Sequence, residues 1–176
     1  VILSYNVREI TKICIKKALV AAKNCEIVHH NKVKIIVVDN NSSDNSIGYL
    51  QPQFPRVHFL ANNENTGFAK ACNLGLKLAS GHFVLFLNPD TIIPEDCFQK
   101  VIAFLQSKPE AGALGIKMLD GSGRFLKESK RSFPSPLTSL FKLSGLSRLF
   151  PRSRVFSRYH LGHLDENKDH EIDVLA

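Results

Sequence analysis

The sequence predicts an α/β fold built on a doubly wound, mostly parallel central sheet with flanking helices. Strand-like and helix-like patterns alternate along the first two thirds of the chain, and the strand-like runs are short, apolar and rich in β-branched residues. Such runs are typical of strands that are covered on both faces, as the strands of a parallel sheet are. The repeated β-then-α order indicates crossover units in which each helix packs back onto the sheet.

Five runs are predicted to be strands. The clearest is VKIIVV at Val33–Val38, which is rich in β-branched residues. Phe83–Leu87 matters most for function because it leads directly into Asn88-Pro89-Asp90. In chain order, the predicted strands are Val1–Leu3, Val33–Val38, Val57–Leu60, Phe83–Leu87 and Ala113–Met118.

Four stretches between these strands are predicted to be helices. Glu9–Lys23 has apolar residues at helical spacing, and Pro94–Gln106 carries its proline near the start, where no N–H is needed. A cluster of turn and capping residues, Asp39–Asp44, precedes the short helix Ser46–Leu50. The fourth helix, Gly67–Leu78, opens with a single glycine, so it is neither a P-loop nor a GxGxxG motif, but its free N–H groups can face an anion.

Composition excludes several classes of protein. With 176 residues, 44% of them apolar, the chain is long enough for one domain with a real core, and no run is long enough to cross a bilayer. The four cysteines are widely spaced and form no CxxC pair, which argues against zinc and a disulfide framework and favours a reducing, cytoplasmic setting. Neither an initiator Met nor a signal peptide is visible, so we expect the chain to be a fragment.

Positive charge is concentrated in one part of the chain. Lys117–His160 contains ten Lys or Arg residues and only two acids, whereas the net charge of the whole chain is +7. Leu161–Ala176 then carries five acids and one lysine. Such a basic block suits phosphates of nucleic acid, anionic lipid or a pyrophosphate-linked substrate. Nucleic acid is disfavoured because neither RNP-type aromatics nor a recognition-helix pattern accompanies the charge.

Two predicted strands end in a carboxylate at the same edge of the sheet. Asp39 follows Val33–Val38, and Asp90 follows Phe83–Leu87. Open α/β sheets bind ligands at the carboxyl ends of their strands, so Asp39 is a candidate to hydrogen-bond a nucleobase or ribose. Asp90, beside the rigid Pro89, is a candidate to hold a divalent cation against a phosphorylated substrate. For both aspartates the alternative is a structural role as a helix N-cap.

Three stretches, VILSYN, VVDNNSSDNS and NENTGFAKACNLGLKLASGHFVLFLNPDT, together resemble the first half of inverting, family 2-type glycosyltransferases with the GT-A (Rossmann-like) fold. The chain is most similar in character to bacterial rhamnosyltransferase-like members, and a weaker similarity continues in KRSFPSP. The resemblance implies a nucleotide-sugar-binding GT-A core over residues 1–116. A basic segment on the acceptor or membrane side would follow over residues 117–176.

The resemblance also implies an activity. The protein would be a hexosyltransferase that transfers a sugar from a dTDP-rhamnose-type or UDP-sugar-type donor, with inversion, in bacterial cell-surface polysaccharide biosynthesis. The acceptor would be a saccharide or a polyprenyl-diphosphate-linked saccharide. An alternative is a non-catalytic nucleotide-sugar-binding module with a degenerate site.

Individual residues receive roles from the same resemblance. Asn88-Pro89-Asp90 stands at the metal-binding DxD position with Asn in place of the first acid. Asp90 would therefore be the main ligand of Mg²⁺ or Mn²⁺, and Asn88 would contribute through its amide or a water. Lys70 and Arg131 are candidate diphosphate contacts, with solvated surface side chains as the alternative. The implied nucleotide-sugar-binding set is Ser4, Tyr5, Asn6, Asp39, Asn40, Asn65, Gly67, Asn73, Asn88 and Asp90.

Two further expectations concern the second half of the chain. The catalytic base of the family comes later in its sequences, so we expect it beyond Ala176 and expect this chain alone to be inactive, with the acids of the tail forming a solvated loop. Pro136–Tyr159 mixes Leu and Phe with Lys and Arg at roughly helical spacing. It is either a peripheral contact with the inner face of the bacterial membrane or a pair of short helices that pack on the sheet.

Overall fold

A three-stranded parallel sheet organises the first part of the chain. In the computed structural model, which describes residues 1–29, 32–133, 135–150, 153, 155–172 and 174–175, the strands are β1 (Ile2–Ser4), β2 (Ile36–Asp39) and β3 (His58–Ala61). They lie in the order β1-β2-β3, and both neighbouring pairs are parallel. The predicted α/β class with a parallel sheet is confirmed.

Four α-helices accompany this sheet at the predicted places. They are α1 (Arg8–His29), α2 (Ser46–Leu50), α3 (Phe68–Lys77) and α4 (Cys97–Ser107), and a short 3-10 helix at Gln51–Gln53 follows α2. The sequence predicts that α4 starts at Pro94, but in the structure the helix starts at Cys97. The N–H of Cys97 bonds to the Pro94 carbonyl at 3.1 Å, so a turn precedes the helix.

The helices cover both faces of the sheet. Successive residues of β2 point to opposite faces, so Val37 joins the core beneath α1 and α4, and Val38 joins the core beneath α3. Small side chains such as Ala18 let α1 pack closely, and Gly75 does the same for α3. A Cβ built on Gly75 would lie 2.5 Å from Cγ1 of Val1 and 3.1 Å from Cγ2 of Val38, so a side chain here would force these neighbours to shift.

The prediction of a strand at Phe83–Leu87 is wrong. The segment runs beside β1, but among the described residues its pairing is limited to one parallel bridge between Ile2 and Leu87. Two backbone hydrogen bonds hold it there: the amine of Val1 donates to the Leu85 carbonyl at 2.7 Å, and the Leu87 N–H donates to the Val1 carbonyl at 2.9 Å. Its neighbour β1 has only three residues, so most of the segment has no strand to pair with, and Phe83 to Phe86 remain 37–46% exposed.

The chain divides into two compact units after Lys108, whereas the family resemblance implies a nucleotide-sugar-binding core that ends after Ile116. In the second unit, β4 (Lys130–Arg131) pairs antiparallel with β5 (Val174–Leu175), and two short helices are α5 (Pro136–Leu143) and α6 (Leu146–Leu149). The predicted strand at Ala113–Met118 is absent. With the described part of the chain this stretch forms no ladder, and the pairing seen nearby is one antiparallel bridge between Leu119 and Phe125.

Parts of the basic block and of the acidic tail lie outside the described residues, namely Arg152, Arg154 and Asp173, as does Pro134 of the KRSFPSP similarity. The acids of the tail that are described, Asp165, Glu166, Asp169 and Glu171, are exposed, in keeping with a solvated loop. None of the helices in the described ranges has the length and apolar character needed to cross a membrane.

Candidate functional site

The strand order indicates where a ligand-binding crevice is expected, at the carboxyl edge of the sheet. Across the sheet the order is Leu87, β1, β2, β3, so the chain runs outward from β1 to β3 and then returns to the opposite side of β1. Ligands of open α/β sheets bind outside the carboxyl ends of the strands where the strand order reverses in this way. The reversal here lies between β1, which is followed by Tyr5 and Asn6, and Leu87, which is followed by Asn88 and Asp90.

The loops after β1 and β2 are joined into one rim. Asn6 has a left-handed backbone (φ 54°). Its side-chain oxygen accepts two hydrogen bonds from Ser43, one from the N–H at 2.7 Å and one from the hydroxyl at 3.1 Å. The N–H of Asn6 donates to the hydroxyl oxygen of Ser42 at 2.9 Å. Tyr5, directly before Asn6, is 47% exposed and is therefore accessible to a ligand.

Ser4 faces inward rather than into the crevice. Its hydroxyl is fully buried and lies 2.9 Å from the hydroxyl of Thr11 on α1. The contribution of Ser4 to a ligand site is therefore limited to its backbone. Its carbonyl is also engaged, because it accepts the N–H of Asn40 at 2.9 Å.

Asp39 is 4% exposed and closes the loop that follows β2. Its carboxylate accepts the hydroxyl of Ser42 at 2.6 Å and the N–H of Ser42 at 2.9 Å. This is a structural role of the kind that the sequence left open, although the N-cap residue of α2 is Asn45 rather than Asp39. A hydrogen bond from Asp39 to a nucleobase stays a prediction.

Asp44 is a residue that the sequence analysis did not single out. Its carboxylate accepts hydrogen bonds from the N–H of Arg8 at 3.0 Å and from the N–H and hydroxyl of Ser46, and so joins the starts of α1 and α2. Burial acts to raise the pKa of Asp44, but these hydrogen bonds and the Arg8 charge outweigh it and hold the pKa below its usual value. The signal in the sequence is the Asp-x-Ser spacing directly before a short helix.

Asn40 connects three parts of the crevice wall. Its side chain is 3% exposed, and its oxygen accepts hydrogen bonds from the Asn62 amide at 3.0 Å and from the N–H and hydroxyl of Thr66 at 3.1 and 3.2 Å. Its NH₂ group donates to the side-chain oxygen of Asn65 at 2.7 Å. We call Asn40, Asn62, Asn65 and Thr66 the asparagine network, and it fixes the start of α3 against the ends of β2 and β3.

Gly67 forms the entry to α3. Its backbone (φ 78°, ψ 170°) is one that essentially only glycine adopts, and its N–H donates to the side-chain oxygen of Asn65 at 3.0 Å. The next N–H groups of a helix have no partners within the helix and can face an anion. Lys70 and Asn73 both lie exposed on the first turns of α3, and Phe68 is 62% exposed.

The Asn88-Pro89-Asp90 segment is a tight turn whose polar side chains are exposed. The N–H of Thr91 donates to the Asn88 carbonyl at 3.1 Å, and the buried thiol of Cys14 donates to the same carbonyl at 3.6 Å. Burial and, secondly, the charge of Asp90 raise the pKa of the Cys14 thiol to about 11. In the part of the chain that the structure describes, the Asp90 carboxylate accepts no hydrogen bond and forms no ion pair.

These residues fit a magnesium-type or manganese-type site. One carboxylate and one amide oxygen are hard ligands, and Mg²⁺ is commonly held by one or two carboxylates together with substrate phosphates and waters. No group of three or more His, Cys, Asp or Glu side chains within the described ranges is placed to hold a metal by itself. A cation at Asp90 would therefore depend on ligands that the substrate supplies.

The predicted site residues of the first unit fall around this one edge, whereas Arg131 does not belong to that unit. Arg131 lies half-buried in β4 of the second unit and is paired in register with Val174. Its role as a diphosphate contact stays a prediction, as does the position of the catalytic base beyond Ala176.

The family model described as "Glycosyl transferase family 2" matches residues 1–165. The chain belongs to glycosyl transferase family 2. The family assignment made from the sequence motifs is therefore confirmed, whereas similarity to rhamnosyltransferases in particular stays a prediction.

Curated relatives of this family 2 chain include proteins named for teichoic acid biosynthesis and for poly-N-acetylglucosamine synthesis. The minor teichoic acid biosynthesis protein GgaB of Bacillus subtilis is 30% identical over 104 residues, which is 56% of this chain and 11% of GgaB. The poly-beta-1,6-N-acetyl-D-glucosamine synthase of Staphylococcus aureus is 32% identical over 93 residues, 52% of this chain and 23% of the synthase. The family 2 chain thus spans well under half the length of these relatives.

Solved structures agree with the fold of the family 2 chain. TarS of S. aureus in complex with UDP superposes with a TM-score of 0.58 at 22% identity, over 78% of this chain and 38% of the TarS chain. The TarS complex with UDP-GlcNAc gives a TM-score of 0.56 over 78% of this chain and 36% of that one. The GT-A type of α/β fold implied by the sequence motifs is therefore confirmed.

Proposed function

We propose that this chain binds the donor for a glycosyltransferase of the hexosyltransferase type, which transfers a sugar with inversion in bacterial cell-surface polysaccharide biosynthesis. The donor is a nucleotide-diphosphate sugar of the dTDP-rhamnose or UDP-sugar type, and the acceptor is a saccharide or a lipid-linked saccharide. The observation that carries this proposal is the reversal of strand order between β1 and Leu87, beside which Asp90 presents a carboxylate that has no protein partner among the described residues. The names of GgaB and the poly-N-acetylglucosamine synthase, and the UDP and UDP-GlcNAc in the TarS complexes, support it.

The chemistry explains why the crevice needs these groups. Sugar transfer breaks the bond between the anomeric carbon and the diphosphate, so negative charge develops on the leaving diphosphate. Mg²⁺ or Mn²⁺, when held by Asp90 and Asn88, supplies stabilisation of that charge. The N–H groups at the start of α3 and the exposed Lys70 offer further positive character on the same edge, and Tyr5 offers a ring surface to the base and ribose.

Calorimetric titration with UDP and dTDP, in Mn²⁺ and in EDTA, tests the donor site. We expect wild-type chain to bind one of the two nucleotides more tightly in Mn²⁺, and Asp90→Asn to lose that difference because the amide carries no charge for the cation. Asp169→Asn is the matched control, since it makes the same change on an exposed aspartate of the tail.

Three results would contradict this reading of the site. An Mn²⁺ effect of equal size in Asp90→Asn would remove Asp90 from the metal site. Nucleotide binding in wild type that does not respond to Mn²⁺ would favour a non-catalytic module in which Asn88 marks a degenerate site. Tight DNA binding without nucleotide binding would overturn the donor site altogether.

We propose further that Pro136–Tyr159 holds the protein at an anionic membrane surface, on the cytoplasmic face, where a polyprenyl-diphosphate-linked acceptor would be available. The segment contains two short helices, α5 and α6. The leucines of α5 are exposed rather than buried: Leu137, Leu140 and Leu143 are 57%, 58% and 87% exposed. On α6, Leu149 is 74% exposed. The inward side of α5 carries Thr138, which is 7% exposed.

Charge selects an anionic bilayer as the occupant of this leucine surface. From Ser132 to Leu164 the sequence contains five Lys or Arg residues and no acid. Exposed apolar side chains next to such charge are typical of segments that lie in the interface of anionic membranes, where each basic residue contributes about 1 kcal/mol. The four cysteines, all buried and free, suit a reducing compartment on the cytoplasmic side.

Liposome sedimentation over a salt series tests the membrane contact. We expect binding to vesicles that contain anionic lipid, weak binding to neutral vesicles, and release as salt rises because the charges are screened. Leu140→Ser with Leu143→Ser should weaken binding, whereas Leu76→Ser, an exposed leucine of α3, should not. Salt-independent binding, or self-association that the paired leucine variant abolishes without any vesicle binding, would contradict the proposal.

A further inference from the structure

The turn that carries Asp90 has few anchors to the rest of its unit. Asn88 and Asp90 are exposed, and the Thr91 N–H bond to the Asn88 carbonyl lies within the turn itself. Directly before it, Leu87 is tied to β1 through its N–H bond to the Val1 carbonyl at 2.9 Å. Among the described residues, the one other hydrogen bond that reaches the turn comes from Cys14 of α1.

Cys14 is well placed to act as this second anchor. It lies in the buried stripe of α1, is 1% exposed, and packs in the same core cluster as Ile2 and Leu87. Its Sγ lies 3.6 Å from the Asn88 carbonyl oxygen, a distance at which a thiol S–H donates a weak hydrogen bond. Because α1 is a long helix packed on the sheet, this contact fixes the position of the turn relative to a rigid element.

We infer that Cys14 is a positioning residue. It holds the Asn88-Pro89-Asp90 turn in the position in which Asp90 and Asn88 can bind a cation together with the donor's diphosphate. The inference rests on the proposed function. Cys14 touches neither substrate nor metal, so it acts through the Asn88 carbonyl alone. A cation site made of two protein groups is sensitive to small displacements, since the substrate must supply the remaining ligands in the same geometry.

Substitutions at Cys14 separate the hydrogen bond from packing. Cys14→Val keeps a side chain of similar size but removes the hydrogen-bond donor. Cys14→Ala removes both the donor and the packing, and Cys14→Ser keeps a hydrogen-bond donor. Cys25→Val and Cys25→Ala are matched controls, because Cys25 is a fully buried cysteine of the same helix. UDP or dTDP affinity is measured by calorimetry in Mn²⁺ and in EDTA, and thermal unfolding confirms that each variant is folded.

We expect Cys14→Val and Cys14→Ala to reduce the affinity gained from Mn²⁺ by about twofold, the low end of the range for one net hydrogen bond, because a thiol is a weak donor. Affinity in EDTA should stay unchanged, Cys14→Ser should restore most of the Mn²⁺ effect, and both Cys25 variants should behave as wild type. If Cys14→Val keeps the full Mn²⁺ effect, or if the Cys14 variants weaken binding equally in EDTA, the positioning role is overturned. A wild-type chain with no Mn²⁺ effect overturns the proposed metal site and this inference with it.

Discussion

Replacing Asn40 with aspartate is the sharpest single test of the asparagine network. The change exchanges one NH₂ group for an oxygen of nearly the same size, so packing is preserved. It removes the donor that contacts Asn65 at 2.7 Å and sets two oxygens against each other in a side chain that is 3% exposed. The three donors on the other oxygen, from Asn62 and Thr66, are retained.

The size of the effect follows from these contacts. Loss of the bond to Asn65 costs about 0.5–1.5 kcal/mol, and a buried oxygen left without a partner costs about 1–3 kcal/mol more. Stronger hydrogen bonds from Asn62 and Thr66 to a carboxylate offset part of this loss. We expect Asn40→Asp to lower the free energy of unfolding by roughly 1–3 kcal/mol.

Urea unfolding at neutral pH, followed by far-UV circular dichroism, measures this difference. Asn63→Asp is the matched control, because it makes the same chemical change on an exposed neighbour in the loop. The expected result is a lower midpoint for Asn40→Asp with an unchanged slope, and a midpoint near wild type for Asn63→Asp. If the two variants unfold at the same urea concentration, the asparagine network does not stabilise the crevice wall as the structure indicates.

Three further predictions concern the same unit. A Cβ at Gly67 meets no atom within 4 Å, so Gly67→Ala should cost about 1–3 kcal/mol through backbone strain alone, and a smaller loss in urea unfolding would mean that the loop relaxes easily. Thr11→Val leaves the buried Ser4 hydroxyl without its partner and should cost about 1–3 kcal/mol. Adding Ser4→Ala should then cost less than it does in wild type, and strict additivity would refute the pair. Because the pKa of Asp44 is lowered in the folded chain, its carboxylate stabilises the fold above the ordinary pKa of about 4 and loses that effect as pH falls through the lowered value. The melting temperature of Asp44→Asn should therefore fall less steeply than that of wild type below pH 4, and parallel profiles would contradict this.

The comparison between sequence and structure is most instructive at two runs of apolar residues. Val33–Val38 is predicted as a strand, and the strand that forms, Ile36–Asp39, is the buried centre of the sheet because β1 and β3 pair with it on both sides. Phe83–Leu87 has an equally apolar composition but pairs at one residue. Composition reports the tendency to form a strand, whereas the partner that supplies the hydrogen bonds is a tertiary property.

The same distinction applies to the polar side chains. Asp39 and Asp90 both follow apolar runs, and for each the sequence leaves open whether the carboxylate serves a ligand or caps a helix. In the fold, Ser42 satisfies the Asp39 carboxylate, while the Asp90 carboxylate remains without a partner among the described residues. Ser4 lies beside Tyr5 in the motif, yet its hydroxyl is turned inward to Thr11.

The sequence by itself determined the α/β class, the helices, the family and the edge of the sheet at which the candidate site residues of the first unit lie. These features depend on local periodicity, on short motifs and on the rule that parallel strands end at one edge. Only the tertiary structure decided which polar groups remain available to a ligand. That outcome depends on hydrogen bonds such as those of Asn40 to Asn62 and Asn65, whose partners are 22 and 25 residues away along the chain and meet only when the sheet and α3 are assembled.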